Sequence, residues 1–202
     1  EVRSGHAMAY DRDRGVIVLF GGGGINNRFE TFTFREGTWE FDGSSWKLVS
    51  NSGPKLRAYH AMAYDDSRKK VILFGGLGTD EQERTIALDD MWEWNGARWR
   101  RIKRSGPPAR AGHVLVYDSQ QKRLLLFGGS TLEHGVFQQK DSLADLWEFR
   151  NGKWSKLPFN GPMARARPMA AFNTRKGFLV MAGGKVSDFG VRNASDLWTF
   201  GP

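Results

Sequence analysis

The 202-residue chain contains no cysteine. That absence excludes disulfides, a thiolate nucleophile and any cysteine-based metal site, and it is compatible with a reducing or an oxidising compartment. Long apolar runs are missing too. No segment approaches the roughly 20 apolar residues a membrane-spanning helix needs, so membrane insertion is not expected. Acidic residues are in deficit, 22 against 30 basic ones, which leaves a formal net charge of +8. Such an excess invites a nucleic-acid reading, but its distribution argues against one. Nine cations (Arg12, Arg14, Arg68, Lys69, Lys70, Lys122, Arg123, Arg175 and Lys176) are interspersed with the carboxylates Asp11, Asp13, Asp65, Asp66 and Asp118. A further group, Arg98, Arg100, Arg101, Lys103 and Arg104, falls on one strand that reads as an edge, where charge prevents edge-to-edge pairing. These cations are expected to be solvated surface, and nucleic acid is not expected as a partner.

Glycine, by contrast, is plentiful, with 25 residues. Two of them return in pairs: Phe20-Gly21-Gly22, Phe74-Gly75-Gly76, Phe127-Gly128-Gly129 and Ala182-Gly183-Gly184. Each pair lies 18 residues after an arginine, Arg3, Arg57, Arg110 or Arg165. Trp39, Trp92 and Trp147 each lie 7 residues before a second tryptophan (Trp46, Trp99, Trp154), which lies 11 before the next arginine. Only the stretch from the second glycine to the first tryptophan varies, at 17, 16, 18 and 14 residues. A period of about fifty residues marks a repeat architecture.

The residues between these anchors identify the elements. After each arginine comes a run of small and apolar residues such as Ala61-Met62-Ala63-Tyr64, then a polar turn, then a continuous run such as Val71-Ile72-Leu73-Phe74 that suits a strand buried on both faces. A third strand alternates (Trp39-Glu40-Phe41, Trp92-Glu93-Trp94, Trp147-Glu148-Phe149, Trp198-Thr199-Phe200). It leads through Asp42-Gly43, Asn95-Gly96 or Asn151-Gly152, a hairpin signal, into a fourth strand at the second tryptophan. Gly-Pro pairs at Gly53, Gly106 and Gly161 end each unit. Four-stranded antiparallel meanders at this period predict an all-β propeller with four blades, the first strand innermost because its alanines suit a crowded axis.

Arg-x-x-His, the double glycine and the spaced tyrosine and tryptophans together resemble the kelch motif over essentially the whole chain, in the wording of bacterial kelch repeats. This resemblance implies a single kelch β-propeller domain over 1–202, with blades at about 3–52, 53–105, 106–160 and 161–202, within the galactose-oxidase-like superfamily. It favours an extracellular or periplasmic setting. Copper oxidases of that superfamily depend on a tyrosine cross-linked to cysteine, chemistry that a chain without cysteine cannot perform. Copies depart from the pattern: Pro168 replaces the histidine of His6, His60 and His113, and Gly37 stands where Asp90, Asp145 and Asp196 precede tryptophan by two. The last blade stops before its fourth strand, which predicts further blades, or an additional chain, completing the ring.

Groups that recur once per blade at fixed spacing are expected to be structural. Arg3, Arg57, Arg110 and Arg165 should pair with the carboxylates of Asp90, Asp145 and Asp196, in their own or a neighbouring blade, through bidentate hydrogen bonds, Trp39, Trp92, Trp147 and Trp198 should pack between blades, and the histidines should be capped at the core edge. Ligand contacts are expected where the length is free. The first variable loop offers Asn26, Asn27, Arg28 and Phe32, the second Glu81 and Arg84, the third His134 and Gln138, and the fourth Asp188 and Arg192. Their mixture of aromatics, amides and charges suits a protein, peptide or glycan ligand. The expected function is a non-enzymatic binding scaffold without metal or cofactor. The alternatives are a carbohydrate-active enzyme using Glu81, Glu83 or Glu133 as acid and base, and a structural unit of a larger extracellular assembly.

Overall fold

The computed structural model describes residues 2–26, 31–103, 105–132, 141–187 and 191–201. Each run of apolar residues between turn signals forms a strand, and the strands build an all-β propeller of four blades. The first blade runs β1 (Ala7–Asp11), β2 (Val16–Phe20), a ribbon of β3 (Gly23–Asn26) and β4 (Thr31–Phe34), then β5 (Thr38–Phe41) and β6 (Trp46–Ser50). The second comprises β7 (Ala61–Asp65), β8 (Lys70–Thr79), β9 (Thr85–Trp94) and β10 (Trp99–Ile102). The third has β11 (Val114–Asp118), β12 (Arg123–Phe127), β13 (Leu146–Arg150) and β14 (Lys153–Leu157). The fourth region contains β15 (Arg165–Ala166), β16 (Met169–Asn173), β17 (Phe178–Ala182), β18 (Lys185–Ser187), β19 (Val191–Asn193) and β20 (Leu197–Phe200). Sheet orders are β1-β2-β5-β6, β7-β8-β9-β10, β11-β12-β13-β14 and β16-β17-β20, all antiparallel, so the last sheet has three strands.

The first strands lie side by side: β1 packs on β7, β7 on β11, and β11 on β16. They are therefore the innermost, as their alanines predict. Successive side chains of a strand point to opposite faces, so each blade offers one apolar face to each neighbour. Ala9, Val18 and Phe20 of the first blade meet Met62, Tyr64, Leu73 and Trp99 of the second. Ala61, Ile72 and Phe74 of the second meet Leu115, Leu124, Leu126 and Trp154 of the third, and Leu125 and Phe127 of the third meet Leu179 and Met181 of the fourth. The core is thus three inter-blade seams, not one central mass.

Glycine pairs mark where blades approach most closely. The Gly22, Gly76 and Gly129 N–H groups donate to the carbonyls of Arg57, Arg110 and Arg165 in the following blade, at 2.8–2.9 Å. Gly21 has φ +63°, and a Cβ there would lie 2.4 Å from the Arg57 carbonyl oxygen, so only glycine fits. Beyond each pair the chain continues into a short ribbon joining the second and third strands. The ribbon is tied at its base to the residue after the repeat arginine through Ser4–Gly23, Ala58–Leu77 and Ala111–Ser130 bridges, and through β15–β18 pairing in the fourth blade.

Candidate functional site

The repeat arginines sit beneath the ribbons and form one construction three times. The Arg57 side chain is fully buried and donates from Nη1 to Asp90 Oδ1 at 2.6 Å, from Nη2 to Asp90 Oδ2 at 2.9 Å, and to the Gly75 carbonyl. Arg110 holds Asp145 and the Gly128 carbonyl in the same way, and Arg165 holds Asp196 and the Gly183 carbonyl. The indoles of Trp92, Trp147 and Trp198 donate to the same carboxylates at 2.6 Å. Burial by itself would raise the Asp90 and Asp145 carboxyls, but the arginine hydrogen bonds and charge, with the indole N–H, hold both below the ordinary range. Each of these three arginines thus holds a carboxylate of its own blade. Arg3 departs from the others: with Gly37 in the aspartate position, it donates to the Gly21 carbonyl at 3.2 Å and lies 6.0 Å from the Trp39 ring centre.

Two repeat positions differ from blade to blade. His6 is half-buried, whereas His60 and His113 are buried, edge-on to Phe20 and Phe74 of the preceding blade. Desolvation, then the nearby charge of Arg57 or Arg110, holds them neutral; His60 falls well below the ordinary histidine range and His113 falls to about 3. Of the first tryptophans, Trp92 and Trp147 are partly buried and pack against the seams on either side of the second blade, Trp39 is partly buried and Trp198 is exposed, while Trp94, Trp99 and Trp154 are buried within those seams.

On the opposite end, the first hairpin turns carry more structure than their solvated reading predicts. Arg14 bridges Asp11 and Glu40, Arg68 reaches Glu93 at 3.3 Å, and Arg123 bridges Asp118 and Glu148. Contacts also cross the seams here: Trp94 Nε1–H donates to Glu40 at 2.9 Å, Arg68 lies 4.9 Å from the Phe149 ring centre, the Ser67 and Tyr117 hydroxyls meet at 2.6 Å, and Lys69 and Arg12 pair with Asp13 and Asp66. The signal was present in the repeated Trp-Glu pair, whose glutamates face these arginines across the sheet. Between the second and third blades this end also opens into a polar groove of about 650 Å³, lined by Asp65, Ser67, Arg68, Gln120, Gln121, Lys122, Arg150 and Asn151. Burial raises the Asp65 carboxyl, against hydrogen bonds from the Arg68 and Ser67 main chain. It caps its own turn, as Asp118 does in the next blade.

Of the residues proposed for ligand contact, Asn26 ends β3, Phe32 lies in β4, Glu81 and Arg84 occupy the tip between β8 and β9, and Arg192 lies in β19. Asn27, Arg28, His134, Gln138 and Asp188, with Glu133 of the enzymatic alternative, lie outside the described residues. Phe32 is 42% exposed and packs edge-on against Phe34 at 5.5 Å. Arg84 braces its own hairpin by donating from Nε to Asp80 at 2.7 Å. Among the described residues no group of three or more His, Asp or Glu side chains is placed to hold a metal ion, and no helix is long and apolar enough to cross a membrane.

No family model matches the chain. Among solved structures, "Structure of YjhT" superposes with a TM-score of 0.69 over 99% of this chain and 65% of that one, at 12% identity. A "Kelch repeat-containing protein" of Arthroderma benhamiae is 34% identical over 116 residues, 52% of this chain and 17% of that protein. This is a β-propeller resembling the kelch-repeat and galactose-oxidase superfamily. "Mei4-dependent protein 6" of Schizosaccharomyces pombe is 28% identical over 138 residues, 63% of the propeller chain and 19% of that protein. The propeller thus spans less than a fifth of the length of these two curated relatives. Its scaffold is of a kind able to hold a ligand or a protein partner.

Proposed function

We propose that the propeller is a non-enzymatic binding module that takes a protein, peptide or glycan on the tips of its second-to-third-strand ribbons. One observation carries this reading: each ribbon is pinned at its base by the same arginine, glycine and bridge contacts, while its tip differs in length and chemistry from blade to blade. A constant base under variable tips is how a scaffold presents a recognition surface. Among the described residues, the repeated arginines, aspartates and histidines are engaged in seams and sheets at matching positions, which supports a structural rather than a catalytic part for them.

The test is replacement of residues 130–144, the third variable segment, by a short glycine–serine linker. Binding to an immobilised glycan and peptide panel should be lost while the far-ultraviolet circular dichroism is retained. Binding that survives this swap and disappears in Arg68→Ala with Lys69→Ala and Lys70→Ala would move the site to the polar groove at the other end.

A further inference from the structure

At the end that carries the first hairpin turns, the seams are not equivalent. Between the first and second blades, two ion pairs close over the seam: Lys69 Nζ lies 3.0 Å from Asp13, and Arg12 Nε lies 3.1 Å from Asp66. Between the second and third blades, the matching turn positions put Lys122 in the place of Lys69 and Ser67 in the place of Asp13. The two lysines share a backbone conformation, with φ +56° and +54°. Ser67 brings no charge, and its hydroxyl meets that of Tyr117 at 2.6 Å. The second pair is lost as well, because Ser119 stands where the second blade has Asp66. A third change adds charge: Arg150 follows the third strand where the other blades have Asp42 and Asn95. The polar groove of about 650 Å³ opens where these changes coincide, lined by Arg68, Lys122 and Arg150.

The groove therefore holds positive charge that the sheets do not neutralise. Arg68 is committed to its own blade, 3.3 Å from Glu93 and 3.7 Å from Asp65. Asp65 lines the groove too, but its Oδ1 accepts from the Ser67 and Arg68 main-chain N–H groups, so its charge is engaged within its own turn. Lys122 and Arg150 are exposed, and neither has a carboxylate partner among the described residues. The side-chain amides of Gln121 and Asn151 stand beside them as further donors. Repetition does not account for this arrangement, since the first seam is built from the same turns and is closed by its own ion pairs.

We propose that this groove is an anion site for the phosphate monoester of a small polar molecule, with Lys122 and Arg150 as its charged contacts. A phosphate monoester carries close to two negative charges near neutral pH, which matches two unpaired cations, and its oxygens accept charge-assisted hydrogen bonds from both. The volume lies within the range of small-molecule sites. The rest of the ligand is rich in hydroxyls and not aromatic, because Arg68 already covers the Phe149 ring at 4.9 Å and leaves no free face for a base to stack on. A nucleic-acid strand would need a track of cations, whereas the neighbouring Lys69 and Arg12 are neutralised by Asp13 and Asp66. The groove lies at the end opposite the ribbons and does not rest on the reading proposed for them.

The test is a titration with glucose-6-phosphate followed in amide correlation spectra of the isotope-labelled protein. The Gly152 amide and the side-chain amides of Gln121 and Asn151 should shift and saturate. Inorganic phosphate should shift them with weaker affinity, and glucose should leave them unmoved. Lys122→Gln and Arg150→Gln, both at exposed positions, should each raise the dissociation constant about 10-fold, the loss expected for one charge-assisted hydrogen bond. Ser67→Asp should weaken binding further, because it supplies the carboxylate that closes the first seam and so occupies Lys122. Arg12→Gln should change nothing, and replacement of residues 130–144 should also leave the titration intact, which separates this site from the ribbon surface. No saturable shift at millimolar glucose-6-phosphate would overturn the proposal. Equal weakening by Arg12→Gln would do the same, as would tighter binding of single-stranded DNA that Ser67→Asp leaves unaffected, since either result would make the charge a diffuse polyanion surface.

Discussion

At the scale of single residues, the fold depends on charges buried with their partners. Removing Arg110 leaves the Asp145 carboxylate without its bidentate donor and the Gly128 carbonyl without its hydrogen bond. We therefore expect Arg110→Ala to cost about 3 kcal/mol in urea unfolding. Arg165→Ala should cost less, since Asp196 is 41% exposed on its side chain and water can replace the arginine. Equal losses would show that burial does not set the value of these pairs. The neutral histidines predict a pH dependence of opposite origin. His60 and His113 have folded-state values depressed below the unfolded 6.5, so the unfolded chain binds more protons once the pH drops below that value. Stability is full above pH 6.5 and falls as the pH is lowered towards 3, by up to about 1.4 kcal/mol per pH unit for each group. The urea midpoint measured between pH 8 and pH 5 should reveal this, and His113→Leu should flatten the slope. An unchanged slope in that variant would assign the acid lability to other groups.

At the scale of elements, the fourth strand contributes through one residue. Trp99 packs against Phe20 of the preceding blade and Trp94 of its own sheet, and its indole N–H donates to Thr38 at 2.8 Å. Trp99→Ala should cost about 3–5 kcal/mol, whereas Trp46→Ala, at the open face, should cost much less; denaturant melts of the two variants give the comparison. This contrast was hidden in the sequence, where both tryptophans occupy the same repeat position. The strand order, by comparison, was legible in Ala61-Met62-Ala63-Tyr64 and its counterparts, because small side chains fit only where strands of neighbouring blades converge. The ion pairs of Arg14, Arg68 and Arg123 were foreshadowed only by the repeated Trp-Glu pair. Their spacing to Glu40, Glu93 and Glu148 means nothing until the meander brings the first turn and the third strand together.

At the scale of the whole molecule, stability should be graded along the arc. Stacked repeats exchange stabilisation with nearest neighbours only, and the two central blades have a neighbour on each side. Their strands β7 and β12 are buried along their whole length, while β6 and β20 are largely exposed. Hydrogen exchange should therefore show β7, β8 and β12 as the slowest to open and β6 and β20 as the fastest. Uniform protection across the four blades would mean that the arc unfolds as one cooperative unit.

The sequence by itself determined the blade. A fifty-residue period, glycine pairs and alternating strands are local patterns, and antiparallel meanders with short turns are built from contacts close in the chain. It also offered an Asp-x-Trp carboxylate for each buried arginine, while folding decided that Arg57, Arg110 and Arg165 take the aspartate of their own blade across spacings of 33, 35 and 31 residues. What only the tertiary structure decided lies between blades. That Phe20 packs edge-on against His60 and Trp99 of the next blade, that His60 is buried while His6 is half-buried, that Trp99 is buried while Trp46 is open, and that a polar groove forms beside Arg68 all depend on which face meets a neighbour. A repeat writes the same residues on every blade, and only the packing of one blade on the next gives identical residues different environments.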